Sequence, residues 1–331
     1  MAQAPFPVIH SILSGQALLE RILSNYPIAT PLSCRLYKRG LNDTYVVTTS
    51  QEPYVLRVYR QGWRTRSEID FEIELLTFLH ERNMPVAYPI ARKQGGFIEF
   101  VEAPEGKRYI ALFTYAAGQP VGNNLTARQS QRLGEVLAIV HSQMDDFRSR
   151  FSRPALDSDY LLDTPLTTVK RLYSHRAAGI AYLEEQVENL KQQLIELQLG
   201  TKAPTYGVCM GDLHAGNAHF SELDEPTLFD FDQCGYGWRT FDIGKFLHTA
   251  HRSNLSKQVQ TQFLKGYENI RQLSRVEHIS IPLFTKVAHI WLMGIRTSVV
   301  EEVVACDGFT DEWFDKSITL LDQLSNIAWE N

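Results

Sequence analysis

The chain has 331 residues, of which 44% are hydrophobic, and its formal net charge at pH 7 is -5. That length predicts two domains or lobes with a sizeable buried core. Because the chain is acidic and has no long basic run, we do not expect it to bind nucleic acid.

The four cysteines and the apolar segments bear on location. The cysteines lie far apart with no CxxC pair, which indicates reduced thiols rather than disulfides or a zinc site. The first 15 residues lack the basic segment and apolar core of a secretion signal. No apolar run approaches the ~18 residues of a membrane helix. We therefore expect a cytoplasmic protein that does not bind membranes, whose oligomeric state the sequence leaves open.

The first third of the chain predicts a small sheet with one long helix. Residues 67–82 form an amphipathic helix, with apolar residues at i, i+4, i+7 and i+8. Runs of alternating or β-favouring residues predict strands at 34–38, 45–49, 54–59, 98–101 and 108–113.

The turn between the first two strands contains Gly40, Asn42 and Thr44. A glycine among small polar residues can let backbone N–H groups approach phosphate oxygens. Asn-containing turns are also common in plain hairpins, so both interpretations stay open.

Helical patterns dominate the remainder. Thr126 and Gln129 predict a capping box, which opens a helix that ends at His141. A loop is predicted at 154–165, and 169–199 is mostly helical, with a solvated face favoured over a partner surface. Apolar stripes predict helices at 291–304 and 314–327. The tail between and around them is acidic, with Glu301, Glu302, Asp307, Asp311, Glu312 and Asp315.

Residues 208–242 carry the pattern with the clearest chemistry. Asp212 lies in a Gly-Asp-Leu-His turn, Asn217 follows with four residues between, and Asp230 opens Asp-Phe-Asp after a strand-like run. Protein kinases space the catalytic Asp and a metal-binding Asn in this way, and place Asp-Phe-Gly after a hairpin. Phosphoryl transfer needs a carboxylate that accepts the hydroxyl proton, and oxygen ligands that hold Mg²⁺ against the phosphates. The pattern predicts Asp212 as the base, with Asn217 and Asp230 as Mg²⁺ ligands; the alternative is an Asx-rich turn.

A zinc site is a weaker hypothesis for the same stretch. Cys209, His214 and His219 are close in sequence. Zinc sites usually have four close nitrogen or sulfur ligands, and a fourth is missing here. The oxygen-bearing side chains nearby suit Mg²⁺ better.

The same stretch resembles the phosphotransferase family of aminoglycoside kinases, choline kinases, type II homoserine kinases and stress-response Ser/Thr kinases. Their signature is His-Gly-Asp-x-His-x-x-Asn followed by Ile/Val-Asp-Phe/Leu. Here it reads Met210-Gly211-Asp212-Leu213-His214-Ala215-Gly216-Asn217, then Phe229-Asp230-Phe231, so that Met210 replaces the first His. A weaker resemblance extends over nearly the whole chain.

The resemblance implies an α+β, two-lobed, protein-kinase-like fold. A small antiparallel β-sheet lobe would span residues 1–114, and a larger, mainly helical lobe would span 115–331. The linker would be 113–117, with ATP between the lobes. Backbone groups at Phe113 and Tyr115 would hydrogen-bond the adenine.

The resemblance also implies nucleotide-binding roles in the first lobe. Arg57 stands where many relatives have Lys, and would hold the α- and β-phosphates while pairing with Glu72. Glu74 is the second candidate for that pairing. The alternatives are an exposed strand Arg and a solvated helix acid. The turn that contains Gly40, Asn42 and Thr44 would line the phosphates.

Further roles follow for the second lobe. His214 would shape the catalytic loop, and His141 would be structural. Asp242 would brace the catalytic loop by hydrogen bonds, and Asp232 is a candidate for an extra metal or water contact. Some relatives bind cationic substrates through acids of the tail, although a solvated acidic face is the better supported interpretation here.

These patterns together predict an ATP- and Mg²⁺-dependent phosphotransferase. The acceptor would be a hydroxyl of a small metabolite such as homoserine, choline, a sugar or an aminoglycoside. One alternative is a protein Ser/Thr kinase of the same family. Another is a nucleotide-binding protein without turnover, because Arg57 and Met210 depart from the family pattern. No residue identifies the acceptor.

Overall fold

The computed structural model describes residues 6–298 and 308–325. The chain divides into two compact units. Unit 1 comprises Met1–Glu81, Val86–Ala116 and Ser149–Ser152, and unit 2 comprises Arg82–Pro85, Ala117–Arg148 and Arg153–Asn331. Of the acidic tail, Glu301, Glu302 and Asp307 lie outside the described residues, as do parts of the helices predicted at 291–304 and 314–327.

Unit 1 is a five-stranded antiparallel sheet with one long helix, as predicted. The strand order is β1-β2-β3-β5-β4. The strands are β1 Pro31–Arg39, β2 Asn42–Thr49, β3 Tyr54–Tyr59, β4 Ile98–Ala103 and β5 Gly106–Thr114. The helices are α1 Gly15–Arg21 and α2 Arg66–Glu81.

The two faces of the central strand β3 have different surroundings. Leu56 and Val58 point to one face, where they are fully buried in a cluster with residues of α1 and β2. Because side chains alternate along a strand, Arg57 points to the opposite face. That residue is also buried, so β3 is covered on both faces rather than half-exposed as its sequence indicates.

Unit 2 is mainly helical, which confirms the predicted α+β class. Its helices are α3 Ala127–Met144, α4 Thr164–Tyr173, α5 Ala177–Glu196, α6 Thr240–Arg252, α7 Lys257–Ile270, α8 Arg275–Ser298 and α9 Asp311–Ser325. Its short strands are β6 Gln119–Pro120, β7 Tyr206–Cys209, β8 Ala218–Phe220, β9 Pro226–Leu228 and β10 Gly235–Trp238. These strands form two small sheets, β10-β7 and β6-β8-β9.

Helices α3 and α7 approach each other closely at two glycines. A Cβ on Gly134 would collide with the carbonyl oxygen of Phe263, and a Cβ on Gly266 would collide with that of Gln131. Backbone therefore packs directly on backbone at this crossing.

The N-terminal end of α3 has the predicted capping box. The Thr126 hydroxyl accepts from the Gln129 N–H, and the Gln129 side chain accepts from the Thr126 N–H.

Several predicted boundaries in unit 2 differ from those observed. The predicted loop at 154–165 contains a helical turn, Asp159–Asp163, and the predicted helix at 169–199 is divided between α4 and α5. The strand-like run before Asp230 forms β9, which ends at Leu228. Strand β10 was not predicted, because glycines are disfavoured in strands; pairing with β7 makes Gly235–Trp238 a strand.

Helix α8 is more apolar than the sequence analysis expected. Among the described helices, it alone has the length and composition to cross a membrane, with a mean hydropathy of 1.2 over its best window. However, 67% of that window is buried inside the protein. Core helices with apolar residues all round have the same composition.

Candidate active site

The predicted catalytic loop begins with a tight turn that only glycine fits. The chain leaves β7 at Cys209 and turns at Gly211, whose φ is +86°. A Cβ at Gly211 would collide with the carbonyl oxygen of Gln233. Both the left-handed backbone and the close approach therefore exclude other residues at this position.

Asp242 holds this turn from below, as the sequence analysis predicted. Its carboxylate accepts the N–H groups of Met210 at 2.7 Å and Gly211 at 2.8 Å. Burial raises the pKa of Asp242 to about 6. These hydrogen bonds confirm that Asp242 braces the loop.

His141 supports Asp242 in turn, and its structural role is confirmed. Its Nε2 lies 3.0 Å from Asp242 Oδ2, and its Nδ1 lies 2.9 Å from the Tyr267 hydroxyl. Burial lowers the pKa of His141 well below its usual value, so the ring is neutral. A neutral ring that donates from Nε2 to the carboxylate and accepts the Tyr267 O–H at Nδ1 satisfies all three groups.

Asp212 is paired with a lysine that sequence reasoning missed. Lys245 Nζ lies 2.7 Å from Asp212 Oδ1, and His214 Nε2 lies 3.8 Å from the other carboxylate oxygen. Lys245 is buried on α6, three residues after Asp242. A lysine among the apolar positions of an amphipathic helix was the available signal, because a buried ammonium needs a partner.

Asn217 is locked in one orientation by the loop itself. Its Nδ2 donates to the backbone carbonyl of Asp212 at 2.9 Å. Because the amide nitrogen is used, the Asn217 Oδ1 is the atom that can bind a metal.

Asp230 is brought beside Asn217 through the backbone. The N–H of Phe229 donates to the Asn217 carbonyl at 3.0 Å. Asp230 follows outside the strand, exposed and with a φ of +64°, which is uncommon for a residue other than glycine. Such strained backbone clusters at functional sites.

The donor set of this loop fits Mg²⁺ better than zinc. Asn217 and Asp230 offer an amide oxygen and a carboxylate, which are ligands that hard cations prefer. Cys209 is fully buried, and burial raises the pKa of its thiol well above the usual value, so it is not a thiolate ligand. Within the described ranges, no three His, Cys, Asp or Glu side chains converge as a metal site. Asp232 is buried and accepts from Gln233 Nε2 at 3.2 Å.

In unit 1, the structure pairs Arg57 with Glu72. Arg57 Nη1 lies 2.6 Å from Glu72 Oε1, and both side chains are buried. The Tyr59 hydroxyl donates to the other carboxylate oxygen at 3.1 Å. Glu74, the second candidate, instead accepts a hydrogen bond from Ser149.

The other predicted nucleotide-binding residues fall into two groups. Thr44 lies opposite Arg57 in the β2–β3 register, and the Phe113 ring lies 5.1 Å from the Arg57 guanidinium. Gly40 lies in the β1–β2 turn, and its carbonyl accepts from Arg60 at 2.8 Å. The predicted turn is shorter than expected, because Asn42 already begins β2, opposite Tyr59 in the β2–β3 register. β5 continues to Thr114, so Phe113 lies in the sheet, whereas Tyr115 follows it and is exposed.

Sequence comparisons agree on one family. The profile described as "Phosphotransferase enzyme family" matches residues 35–278. An uncharacterized protein of Synechocystis is 39% identical over 98% of this chain and 89% of its own length. The amicoumacin kinase of Bacillus subtilis is 24% identical, covering 77% of this chain and 76% of its own. The homoserine kinase of Xanthobacter autotrophicus is 25% identical, covering 82% of each chain.

Solved structures share the fold. An amicoumacin kinase in complex with AMP-PNP, Ca²⁺ and Ami has a TM-score of 0.74 and 22% identity, with 93% of each chain covered. A microcompartment-associated aminopropanol kinase has a TM-score of 0.75 and 24% identity, covering 93% of this chain and 95% of its own. An antiparallel sheet followed by a mainly helical part is therefore the protein-kinase-like architecture.

Proposed function

Because this chain belongs to the phosphotransferase enzyme family, we propose that it transfers the γ-phosphate of ATP, with Mg²⁺, to a hydroxyl of a small metabolite. That it is a kinase with a hydroxyl acceptor follows from its family and relatives. ATP, Mg²⁺ and the small acceptor are the parts we propose.

The observation that carries this proposal is the arrangement of one loop in unit 2. Asp212 and Asn217 are tied together by a hydrogen bond from the Asn217 side chain, and Phe229 ties the Asp230 segment to Asn217. Asp212 would accept the proton of the acceptor hydroxyl as that oxygen attacks phosphorus. Lys245 would keep the Asp212 carboxylate oriented until the acceptor binds.

Asn217 and Asp230 would hold the metal. Mg²⁺ bound there would neutralise charge on the β- and γ-phosphates. The Asn217 amide cannot rotate without losing its bond to the Asp212 carbonyl, so its oxygen is presented in advance. The amicoumacin kinase structure was solved with AMP-PNP and Ca²⁺, which supports a nucleotide and a divalent metal.

Residues of unit 1 would bind the nucleotide. Arg57, held by Glu72, would contact the α- and β-phosphates. Gly40, Asn42 and Thr44 would line the phosphates, and Phe113 and Tyr115 would contribute backbone groups to the adenine. The relatives that have a named substrate favour a small acceptor over a protein. The buried free thiols of Cys34, Cys209 and Cys234 fit a cytoplasmic location.

The decisive experiment replaces the proposed base while preserving its shape. Asp212→Asn should lower kcat by about 10²- to 10⁴-fold, because general-base catalysis typically contributes that much. The dissociation constant for ATP should change only a few-fold. Turnover is measured as ADP release with a panel of alcohols, and ATP binding is measured by calorimetry.

Asp224→Asn is the matched control. Asp224 lies in the β8–β9 turn with a φ of +64°, which Asn tolerates, and pairs with the exposed Arg128. This variant should keep the parent's kcat. Equal rates for Asp212→Asn and the parent would show that Asp212 is not the base.

A further inference from the structure

Unit 2 contains a pocket of about 140 Å³, partly open to solvent, that the proposed chemistry does not yet use. It lies among the C-terminal end of α6, the later half of α8, and α9. Its apolar lining includes Leu292, Met293 and Trp313. Its polar lining includes three cations, Arg252, Arg296 and Lys316.

Within the described part of the chain, two of these cations have no ion-pair partner. Lys316 pairs with Glu312 at 2.6 Å. By contrast, among the described residues no carboxylate lies within ion-pair distance of Arg252 or Arg296. His289, which also lines the pocket, is buried and neutral, because burial lowers its pKa to about 4.

The two arginines act on each other through the pocket. Burial lowers the pKa of Arg296, and the positive charge of Arg252 lowers it further. Much of the Arg252 side chain is exposed, but its guanidinium is partly surrounded by protein atoms, and this burial lowers its pKa too. Two like charges held near each other in a partly apolar pocket favour an anion between them.

Helix α6 connects this pocket to the proposed base. Lys245, which pairs with Asp212, and Arg252, which lines the pocket, are seven residues apart on α6. That spacing puts them on the same helix face, roughly 10 Å apart along the axis. The negative charge of Asp212 raises the pKa of Arg252, against the effect of burial. The two groups therefore interact electrostatically.

From this geometry we infer that the acceptor is an alcohol that carries an anionic group, a carboxylate or a phosphate, bound by Arg252 and Arg296. The apolar lining would contact a short carbon chain between the anion and the hydroxyl. The inference rests on the proposed function, because it assigns the pocket to the acceptor of Asp212. It separates this chain from kinases whose acceptors are cations.

The first test compares acceptors that differ only in charge. 4-Hydroxybutyrate, 1,4-butanediol and 4-amino-1-butanol share a four-carbon chain with a hydroxyl at one end. The other end is a carboxylate, a second hydroxyl or an ammonium, and 4-phosphonooxybutanol supplies the phosphate form. We expect kcat/KM to be highest for one of the two anions, by roughly 10-fold or more over the diol. The better anion identifies the group that the arginines bind. A preference for the amine or the diol would overturn the inference.

The second test removes the charges. Arg296→Gln and Arg252→Gln should each raise KM for the anionic acceptor roughly 10- to 100-fold, with kcat nearly unchanged. KM for the diol should stay within a few-fold, and Arg296→Lys should restore part of the loss. Arg275→Gln, an exposed arginine at the start of the same helix α8, is the control. Equal losses for the anion and the diol would show that the arginines are only structural.

A binding measurement separates this inference from the proposed function. Butyrate and inorganic phosphate, which lack the acceptor hydroxyl, are titrated into the parent and into Arg252→Gln/Arg296→Gln by calorimetry. Binding that the double variant loses supports the anion site even if no alcohol is phosphorylated, in which case the kinase proposal alone fails. Phosphorylation of uncharged alcohols with no anion binding overturns this inference and leaves the kinase proposal standing.

Discussion

At the scale of single residues, the ion pair of Arg57 and Glu72 is the clearest departure from the usual lysine arrangement. Removing two charges from water costs several kcal/mol, which their attraction offsets only with good geometry. The Arg57 guanidinium lies 5.1 Å from the Phe113 ring centroid and 5.8 Å from that of Tyr59. A planar guanidinium can stack on such rings and still bond to a carboxylate, so arginine suits this site.

Removing one partner of this pair should destabilise unit 1. Arg57→Met leaves the Glu72 carboxylate buried without its cation, at a cost of about 3 kcal/mol. Arg57→Met/Glu72→Leu should recover most of that stability but not nucleotide affinity. Urea unfolding and calorimetric titration with ATP measure the two effects.

The exposed pair Arg66 and Asp70 on α2 is the control for this prediction. Arg66→Met should change the unfolding free energy by less than about 1 kcal/mol. If the double variant bound ATP as well as the parent, Arg57 would have no part in nucleotide binding.

Asp230 offers a second prediction at this scale. Asp230→Asn keeps the side-chain shape and tolerates the left-handed backbone, but removes a negative charge from the proposed metal site. The Mg²⁺ concentration for half-maximal activity should rise about 10-fold or more. Binding of Mn²⁺ in the presence of ADP, followed by electron paramagnetic resonance, should weaken in parallel. Unchanged Mn²⁺ affinity would exclude Asp230 as a ligand.

At the scale of elements, α6 organises the site. It presents Asp242 to the turn at Gly211, Lys245 to Asp212 and Arg252 to the pocket that Arg296 also lines. The sequence predicted the first of these because the motif identifies it. It did not predict the other two, because an amphipathic pattern indicates which positions are buried and not which distant residue each one contacts.

The catalytic turn should not accept a methyl group at Gly211. Gly211→Ala combines a left-handed backbone with a collision against the Gln233 carbonyl, so it should cost roughly 3 kcal/mol or more and disorder the loop. Gly122→Ala has a φ of +56° but no atom within 4 Å of the new Cβ. That control isolates backbone strain, about 1 kcal/mol. Thermal unfolding and kcat are measured for both variants. If Gly211→Ala lowered them no more than Gly122→Ala, the collision with the Gln233 carbonyl would have no effect.

At the scale of the whole molecule, the fold class was predictable because long amphipathic elements and one motif dominate the pattern. All five unit 1 strands were predicted, since alternation marks them, but β1 and β2 each begin three residues before their predicted starts. The missed strand β10 depends on its pairing with β7, which the local sequence does not encode. The described tail acids Asp311 and Asp315 form surface ion pairs with His175 and Arg176, as the solvated-face interpretation expected.

Three buried histidines of unit 2 should make stability depend on pH. Burial lowers the pKa values of His141, His248 and His289, the last to about 4. The unfolded chain therefore binds more protons below pH 6.5, and stability is lost as pH falls from there toward 4. Asp242 acts in the opposite direction, because its folded pKa of about 6 lies above its unfolded value.

His10 of unit 1, whose pKa is also lowered by burial, acts in the same direction as the three histidines. The unfolding free energy should therefore be about 3 kcal/mol or more lower at pH 5.5 than at pH 7.5. His289→Gln should reduce the slope of unfolding free energy against pH by about one proton, because it removes one titrating group. The fold should be kept, because Gln can still donate to the Ser317 carbonyl as His289 does at 2.9 Å. A flat profile in the parent would refute this account.

The glycine contact between α3 and α7 has a consequence for anyone who engineers this enzyme. Replacing a mid-helix glycine with alanine is a common route to thermostability, and helix propensity alone would promise about 1 kcal/mol. At Gly134 and Gly266 the same substitution should lower stability, because the added methyl group would push α3 and α7 apart. His141 lies two turns beyond Gly134 and bonds to Tyr267 on one side and Asp242 on the other. A displacement of α3 at Gly134 would therefore reach the turn at Gly211 through His141 and Asp242. A substitution intended to raise stability would then lower activity.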